Sequence, residues 1–156
     1  MGIEIERKFL VIGEAWRQGE GEYLCQGYLN RDKQRTVRVR MAGAAGREQA
    51  WLTIKGASAG ATRAEFEYAI PPGDARQLLA LSDGPLVEKI RRRIAHGGLI
   101  WEVDEFLGDN LGLVVAEVEL QRADQAVDLP DWVGREVTED PRYFNSQLAA
   151  LPFSRW

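Results

Sequence analysis

Charged residues recur two apart along this chain, in sets of nearly one sign. Glu4, Glu6 and Lys8 alternate with Ile3, Ile5 and Phe9, and Arg38 and Arg40 with Val37, Val39 and Met41. Thr53 and Lys55 alternate with Leu52 and Ile54, and Glu65 and Glu67 with Phe66, Tyr68 and Ile70. Lys89, Arg91 and Arg93, then Glu102 and Asp104, then Glu117 and Glu119 complete the series. On a β-strand, residues i and i+2 share a face, so each set is a row of like charges on one side of a strand. Like charges side by side repel. One reading is a solvated outer face. The other is a charged lumen, which must stay wet because stripping water from an ion costs several kcal/mol. Rows of Arg and Lys suit phosphate oxygens, Arg as a two-pronged fork and Lys as a point charge. Rows of carboxylates cannot touch phosphate without a cation between them. Oxygen donors without His or Cys point to Mg2+ or Mn2+.

The elements that carry these rows read as short strands: Met1–Val11, Tyr23–Asn30, Gln34–Met41, Ala50–Gly56, Arg63–Ile70, Leu86–Ala95, Leu99–Phe106 and Leu113–Gln121. Each alternates with period two and is bounded by turn residues. Gly97-Gly98 predicts a tight antiparallel hairpin. Two helices are expected. Pro71-Pro72-Gly73-Asp74 opens Ala75–Leu81, and Asp140-Pro141 opens Arg142–Leu151, with aspartate as cap and proline at the first position. Val127–Gly134, with Pro130, reads as a loop. The fold expected is mainly β (α+β): an eight-stranded antiparallel barrel, or tunnel, with a charged lumen and a few flanking helices, in one domain over residues 1–156.

Composition narrows the function. The 156 residues are 45% hydrophobic and 28% charged, the balance of a globular protein. No run approaches the ~20 apolar residues of a membrane helix, so no membrane association is expected. The first residues carry charge from Glu4 onward and lack the apolar core of a signal peptide. One cysteine, Cys25, excludes an internal disulfide and suits a reducing cytoplasm. With one histidine, His96, it also excludes most structural zinc sites. A net charge of -4 gives no support to a nucleic-acid surface, and no nucleic-acid partner is expected. The outward apolar faces exceed what two short helices can cover, so a homodimer is expected.

Glu4-Ile-Glu6-Arg-Lys8 resembles the ExExK signature of the CYTH superfamily, the triphosphate tunnel metalloenzymes. Arg38-Val-Arg40, Thr53-Ile-Lys55, Glu65-Phe-Glu67, Lys89-Ile-Arg91 and Glu117-Val-Glu119 follow in the order that family shows. Gln26-Gly-Tyr28-Leu is similar to its compact bacterial branch. The resemblance implies an eight-stranded tunnel holding a linear triphosphate with a divalent metal. It implies that Lys8, Arg38, Arg40, Lys55, Lys89 and Arg91 hold phosphate oxygens, with Arg93 extending the row towards the mouth. It makes Glu4, Glu6, Glu117 and Glu119 metal ligands, has Glu65 and Glu67 serving the substrate metal or orienting basic residues, and adds Asp104, with Glu102 on its face, as a further acid of the metal site. Lys8 and Tyr28 are the candidates for positioning water or moving a proton. The expected activity is metal-dependent hydrolysis of inorganic tripolyphosphate to pyrophosphate and phosphate. Thiamine triphosphatase, class IV-type adenylyl cyclase and a non-catalytic polyphosphate or nucleotide binding module are the alternatives.

Overall fold

The structure, a computed structural model, describes residues 2–156; Met1, placed in the first strand by the sequence, lies outside them. The eight expected strands form as β1 (Gly2–Val11), β2 (Glu22–Asn30), β3 (Arg35–Ala42), β4 (Gln49–Gly56), β5 (Thr62–Ile70), β6 (Val87–His96), β7 (Leu99–Phe106) and β8 (Val114–Glu119). All pair antiparallel, in the order β5-β4-β3-β2-β6-β7-β8-β1. Pairing of Gly2–Ile5 with Thr62–Glu65 closes the ring. Closure removes most of the edge that an open sheet would expose. Gly97 and Gly98 both take positive φ, 60° and 78°, which lets β6 turn into β7 with His96 opposite Leu99.

A ninth strand, β9 (Val133–Glu136), pairs with the far half of β1, outside the ring. It begins inside the stretch read as a loop. Four residues are too few for a period-two pattern to show. The first expected helix forms as α1 (Pro72–Ala80). The second breaks. A 3-10 turn spans Pro141–Tyr143 with Asp140 accepting from the Arg142 backbone, Phe144 is extended, and α2 covers only Asn145–Ala150.

Apolar residues gather in three places. Outside the barrel, Phe9, Trp101, Val103, Ala116 and Val118 of β1, β7 and β8 are covered by Trp16 and Trp132 from flanking loops. Trp101 meets Phe9 at 5.5 Å and Trp132 at 5.8 Å between ring centroids. On the opposite side α1 seats Ala75, Leu78 and Leu79 on Val39, Ala50 and Leu52. The third cluster is inside. Val87, Phe106, Val115 and Leu10 share the inward parity of the charged rows, and Tyr143, Leu148 and Phe153 of the C-terminal segment pack on them. Hydrocarbon therefore plugs one end of the bore, where the alternation alone predicts charge throughout. Gly27 of β2 lies under the α1–β6 connection, and a Cβ there would collide with Ser82. The outer face of β1 and β5 stays uncovered, with Ile3, Phe66 and Tyr68 exposed. Among the described residues no helix is long and apolar enough to cross a membrane.

Trp101→Ala empties the centre of the largest outer cluster and should cost about 3–5 kcal/mol in urea unfolding. Ile3→Ala, on the exposed face, should stay within about 0.5 kcal/mol.

Candidate active site

The ring order sorts the inward charges into two arcs. β3 and β6 carry Arg38, Arg40, Arg91 and Arg93, with β2 between them contributing the uncharged Leu24, Gln26 and Tyr28. β7, β8, β1 and β5 are contiguous and carry Glu102, Glu117, Glu119, Glu4, Glu6, Glu65 and Glu67, with Lys8 among them. β4 joins the arcs with Thr53 and Lys55. Between the arcs lies a cavity of about 270 Å3 whose wall includes eight acids and seven bases. The charged rows thus face a common interior rather than bulk solvent.

Strand register sets which groups meet. Arg38 lies opposite both Tyr28 and Thr53, and Thr53 opposite Glu67. Arg38 Nη2 donates to Thr53 Oγ1 at 3.1 Å and stands 3.5 Å from Glu67. Lys55 faces Glu65 in register and reaches across the β5–β1 seam. Its Nζ is 2.9 and 3.0 Å from the two Glu4 oxygens and 3.3 Å from Glu65. Lys8 lies opposite Glu117, its Nζ 3.4 Å from Glu117 and 3.6 Å from Glu6. Arg93 and Glu22, half-exposed, pair at 3.2 Å towards the open end.

The electrostatics follow. Burial, with Glu117 beside it, pushes the Glu6 carboxyl up to about 8. Burial also raises Glu4 and Glu119. Burial disfavours charge on Lys8 too, but Glu117 and Glu6 outweigh it and hold the ammonium above its ordinary range. Burial opposes ionisation of Glu117, yet Lys8 and Arg91 bring it down to about 2. Burial, with Arg38 and Arg91 close by, pushes Arg40 down to about 9; a guanidinium still keeps its proton at neutral pH, so this measures poor compensation.

Most expected site residues reach the cavity wall: Lys8, Tyr28, Arg38, Arg40, Lys55, Arg91 and Arg93, with Glu4, Glu6, Glu65, Glu67, Glu117 and Glu119. Trp51, which shares parity with Lys55, joins them. Lys89 and Asp104 do not. They sit deeper, against the hydrocarbon plug, with Lys89 opposite Phe106, and both are sealed from solvent. Asp104 takes Arg91 Nε and Nη2 at 2.7 and 2.8 Å and Lys89 Nζ at 2.6 Å. Asn145 holds the same Nζ at 3.0 Å. Burial, with Arg91 and Arg40 adding to it, pushes Lys89 down to about 7 despite Asp104. Lys89 and Asp104 thus lie below the cavity wall, with Asp104 accepting from two cations. The wall also holds residues the sequence reading did not name: Arg63, on the Glu65 and Glu67 face, and Phe144, Asn145 and Ser146 from the broken helix.

The model of the family described as CYTH domain matches residues 2–148. An inorganic triphosphatase of Acetivibrio thermocellus is 47% identical over 158 aligned positions, covering 100% of this chain and 99% of its own. An inorganic triphosphatase of Nitrosomonas europaea is 36% identical, covering 94% and 96%. The crystal structure of an inorganic triphosphatase superposes with a TM-score of 0.64 at 36% identity, over 94% of this chain and 93% of that one.

Glu6 binds its proton more tightly folded, near 8, than at the ordinary 4.5 of an unfolded chain. Its contribution to stability is complete below about 4.5 and lost as pH rises through about 8. In metal-free buffer the melting temperature of the wild type should therefore fall across that window relative to Glu6→Gln. Parallel profiles for the two proteins would show that Glu6 is not strained.

Proposed function

The chain belongs to the CYTH domain family, and on that footing we propose that it hydrolyses linear triphosphates with a divalent metal, inorganic tripolyphosphate first among them. The observation that carries this is the split interior: an arc of arginines facing an arc of carboxylates across one small cavity. A bare polyanion suits one arc and is repelled by the other, whereas a triphosphate carrying metal suits both. Two inorganic triphosphatases that align over nearly the whole chain support the choice of substrate.

The donor set fits Mg2+ or Mn2+. Glu4, Glu6, Glu117 and Glu119 offer hard oxygens, and the raised Glu6 marks a wall with more negative charge than its lysines neutralise. Among the described residues no three such groups converge unaided; Lys55 and Lys8 stand between them. A divalent cation bound there supplies neutralisation of phosphoryl charge and lowers the pKa of water.

The chain's own residues supply position and charge, which phosphoryl transfer chiefly needs. Arg38, Arg40 and Arg91 are set to grip phosphoryl oxygens, with Arg93 at the entrance. Lys55 and Lys8, as flexible point charges, can leave their carboxylates for the substrate. Water attacks one terminal phosphorus in line, the P–O bond to the bridging oxygen breaks, the water's proton passes to a product phosphate oxygen, and pyrophosphate and phosphate leave. Lys8 keeps its proton at neutral pH, so its role is electrostatic: it holds the water or the phosphoryl group and takes no proton. Tyr28, on the wall opposite Arg38, is the second candidate for orienting that water. Asp104 acts through Arg91 and Lys89 rather than on the substrate. Trp51 and Phe144 at the wall could receive an organic group, so thiamine triphosphate and ATP belong in the substrate panel. A lone, half-buried Cys25 supports a reducing, cytoplasmic setting.

Phosphate release from tripolyphosphate should require Mg2+ or Mn2+ and vanish in EDTA. Arg38→Ala should raise KM roughly 10- to 100-fold, the worth of a charged hydrogen bond. Glu4→Gln should lower kcat while sparing affinity for metal-free tripolyphosphate. Tight calorimetric binding with no turnover under any metal would make the chain a binding module instead.

A further inference from the structure

Gln26 stands at the middle of β2, between β3 and β6. It is fully buried and lies in register with Arg40. Arg40 Nε donates to Gln26 Oε1 at 2.9 Å. The partner settles which way the amide faces, because a guanidinium N–H can only donate. Among the described residues Arg40 has no carboxylate within ion-pair distance, whereas Arg38, Arg91, Lys8 and Lys55 each have at least one. Gln26 Nε2 has no hydrogen-bond partner at all.

Arg91 shows what a carboxylate does at the corresponding place. Asp104 takes both its Nε and its Nη2, so one face of that fork is consumed and its charge offset. An amide has a single acceptor. It can hold Nε, but its NH2 repels a second N–H, and both Nη groups stay free for an anion.

We propose that Gln26 is the positioning residue of Arg40, fixing the guanidinium for a phosphoryl group without cancelling its charge. This rests on the triphosphatase reading. The residue type matters in both directions. Leucine would fill the space but leave Nε unanchored. Glutamate would keep the hydrogen bond, strengthen it and occupy the fork, as Asp104 does on Arg91.

The test is Gln26→Glu together with Gln26→Leu. Gln26→Glu retains the acceptor and adds an ion pair, so a purely structural role predicts unchanged kinetics. The positioning role predicts a KM for tripolyphosphate raised by about tenfold or more, the scale of one charged hydrogen bond, with a smaller change in kcat. Calorimetry with tripolyphosphate in EDTA should show the same loss of affinity. Gln26→Leu should also raise KM in the wild type but add nothing in an Arg40→Ala background. Unchanged KM and affinity in Gln26→Glu, or additive losses in Gln26→Leu with Arg40→Ala, would overturn the inference. Should the wild type bind tripolyphosphate but not hydrolyse it, the triphosphatase reading fails alone, and the calorimetric comparison still decides the role of Gln26.

Discussion

An ion taken out of water costs several kcal/mol even after its surroundings relax, and the interior of this barrel gathers eight acids and seven bases around one cavity. Strand register is what makes that tolerable. The closed ring places an acidic arc of four contiguous strands against a basic arc of three, and long lysines bridge the seams. Lys55 crosses from β4 to Glu4 on β1, and Lys8 stands between Glu6 and Glu117. Shifting a strand by one residue would turn its whole row outward and strand the partners it left. The charged rows and the barrel register are therefore one specification. The compensation is incomplete: Glu6 is pushed up and Arg40 down. That incomplete compensation, of opposite sign in opposite walls, is what a metal-bearing polyanion would relieve.

The period-two rule made much of this legible before any coordinates. It assigned faces correctly for Glu4, Arg38, Lys55, Glu65, Arg91 and Glu117, because alternation fixes the side of a strand whatever the tertiary context. It could not give depth. Lys89 and Arg91 are two residues apart on one face, yet one is sealed against Phe106 and the other lines the cavity. That difference comes from the apolar plug, whose outer half is Tyr143, Leu148 and Phe153, far along the chain. The contacts of Asp104 were hidden for the same reason. Its two cation partners are fixed by β6–β7 pairing, and the sequence shows the charges without the contacts. The broken helix escaped because Asp140-Pro141 signals a start and nothing local signals that Phe144 will be extended at the cavity wall. Gln26 escaped because its pairing with Arg40 is fixed by the β2–β3 register, which the sequence does not show.

The plug also changes what kind of vessel this is. Inward parity continues through Leu10, Val87, Phe106 and Val115, but the side chains there are hydrocarbon. The bore grades from half-exposed Arg93 and Glu22 to buried Asp104 and Lys89, so it is a pocket with a floor. The floor is ionic on its upper side and greasy beneath. A buried carboxylate holding one lysine and one arginine fork is stiff, since breaking any member would leave an uncompensated charge in a dry site. Arg91 thus meets the cavity from a rigid base.

Arginine and lysine divide the work along the same line. The arginines of the basic arc are anchored through Nε or Nη by neighbours on adjacent strands: Arg38 by Thr53, Arg40 by Gln26, Arg91 by Asp104. Their planar forks gain from being held, because a fixed fork loses little freedom on meeting a phosphoryl group. Lys8 and Lys55 instead lean on carboxylates of the acidic arc at 2.9–3.6 Å, as point charges on flexible stems. As they stand they are counter-ions for the carboxylates. Under the proposed function those carboxylates are needed by the metal, and the released ammonium groups are attracted to the triphosphate that brings it. One exchange then serves both arcs. It requires no strand to move, only two flexible side chains to change partners across a cavity whose walls are set by register.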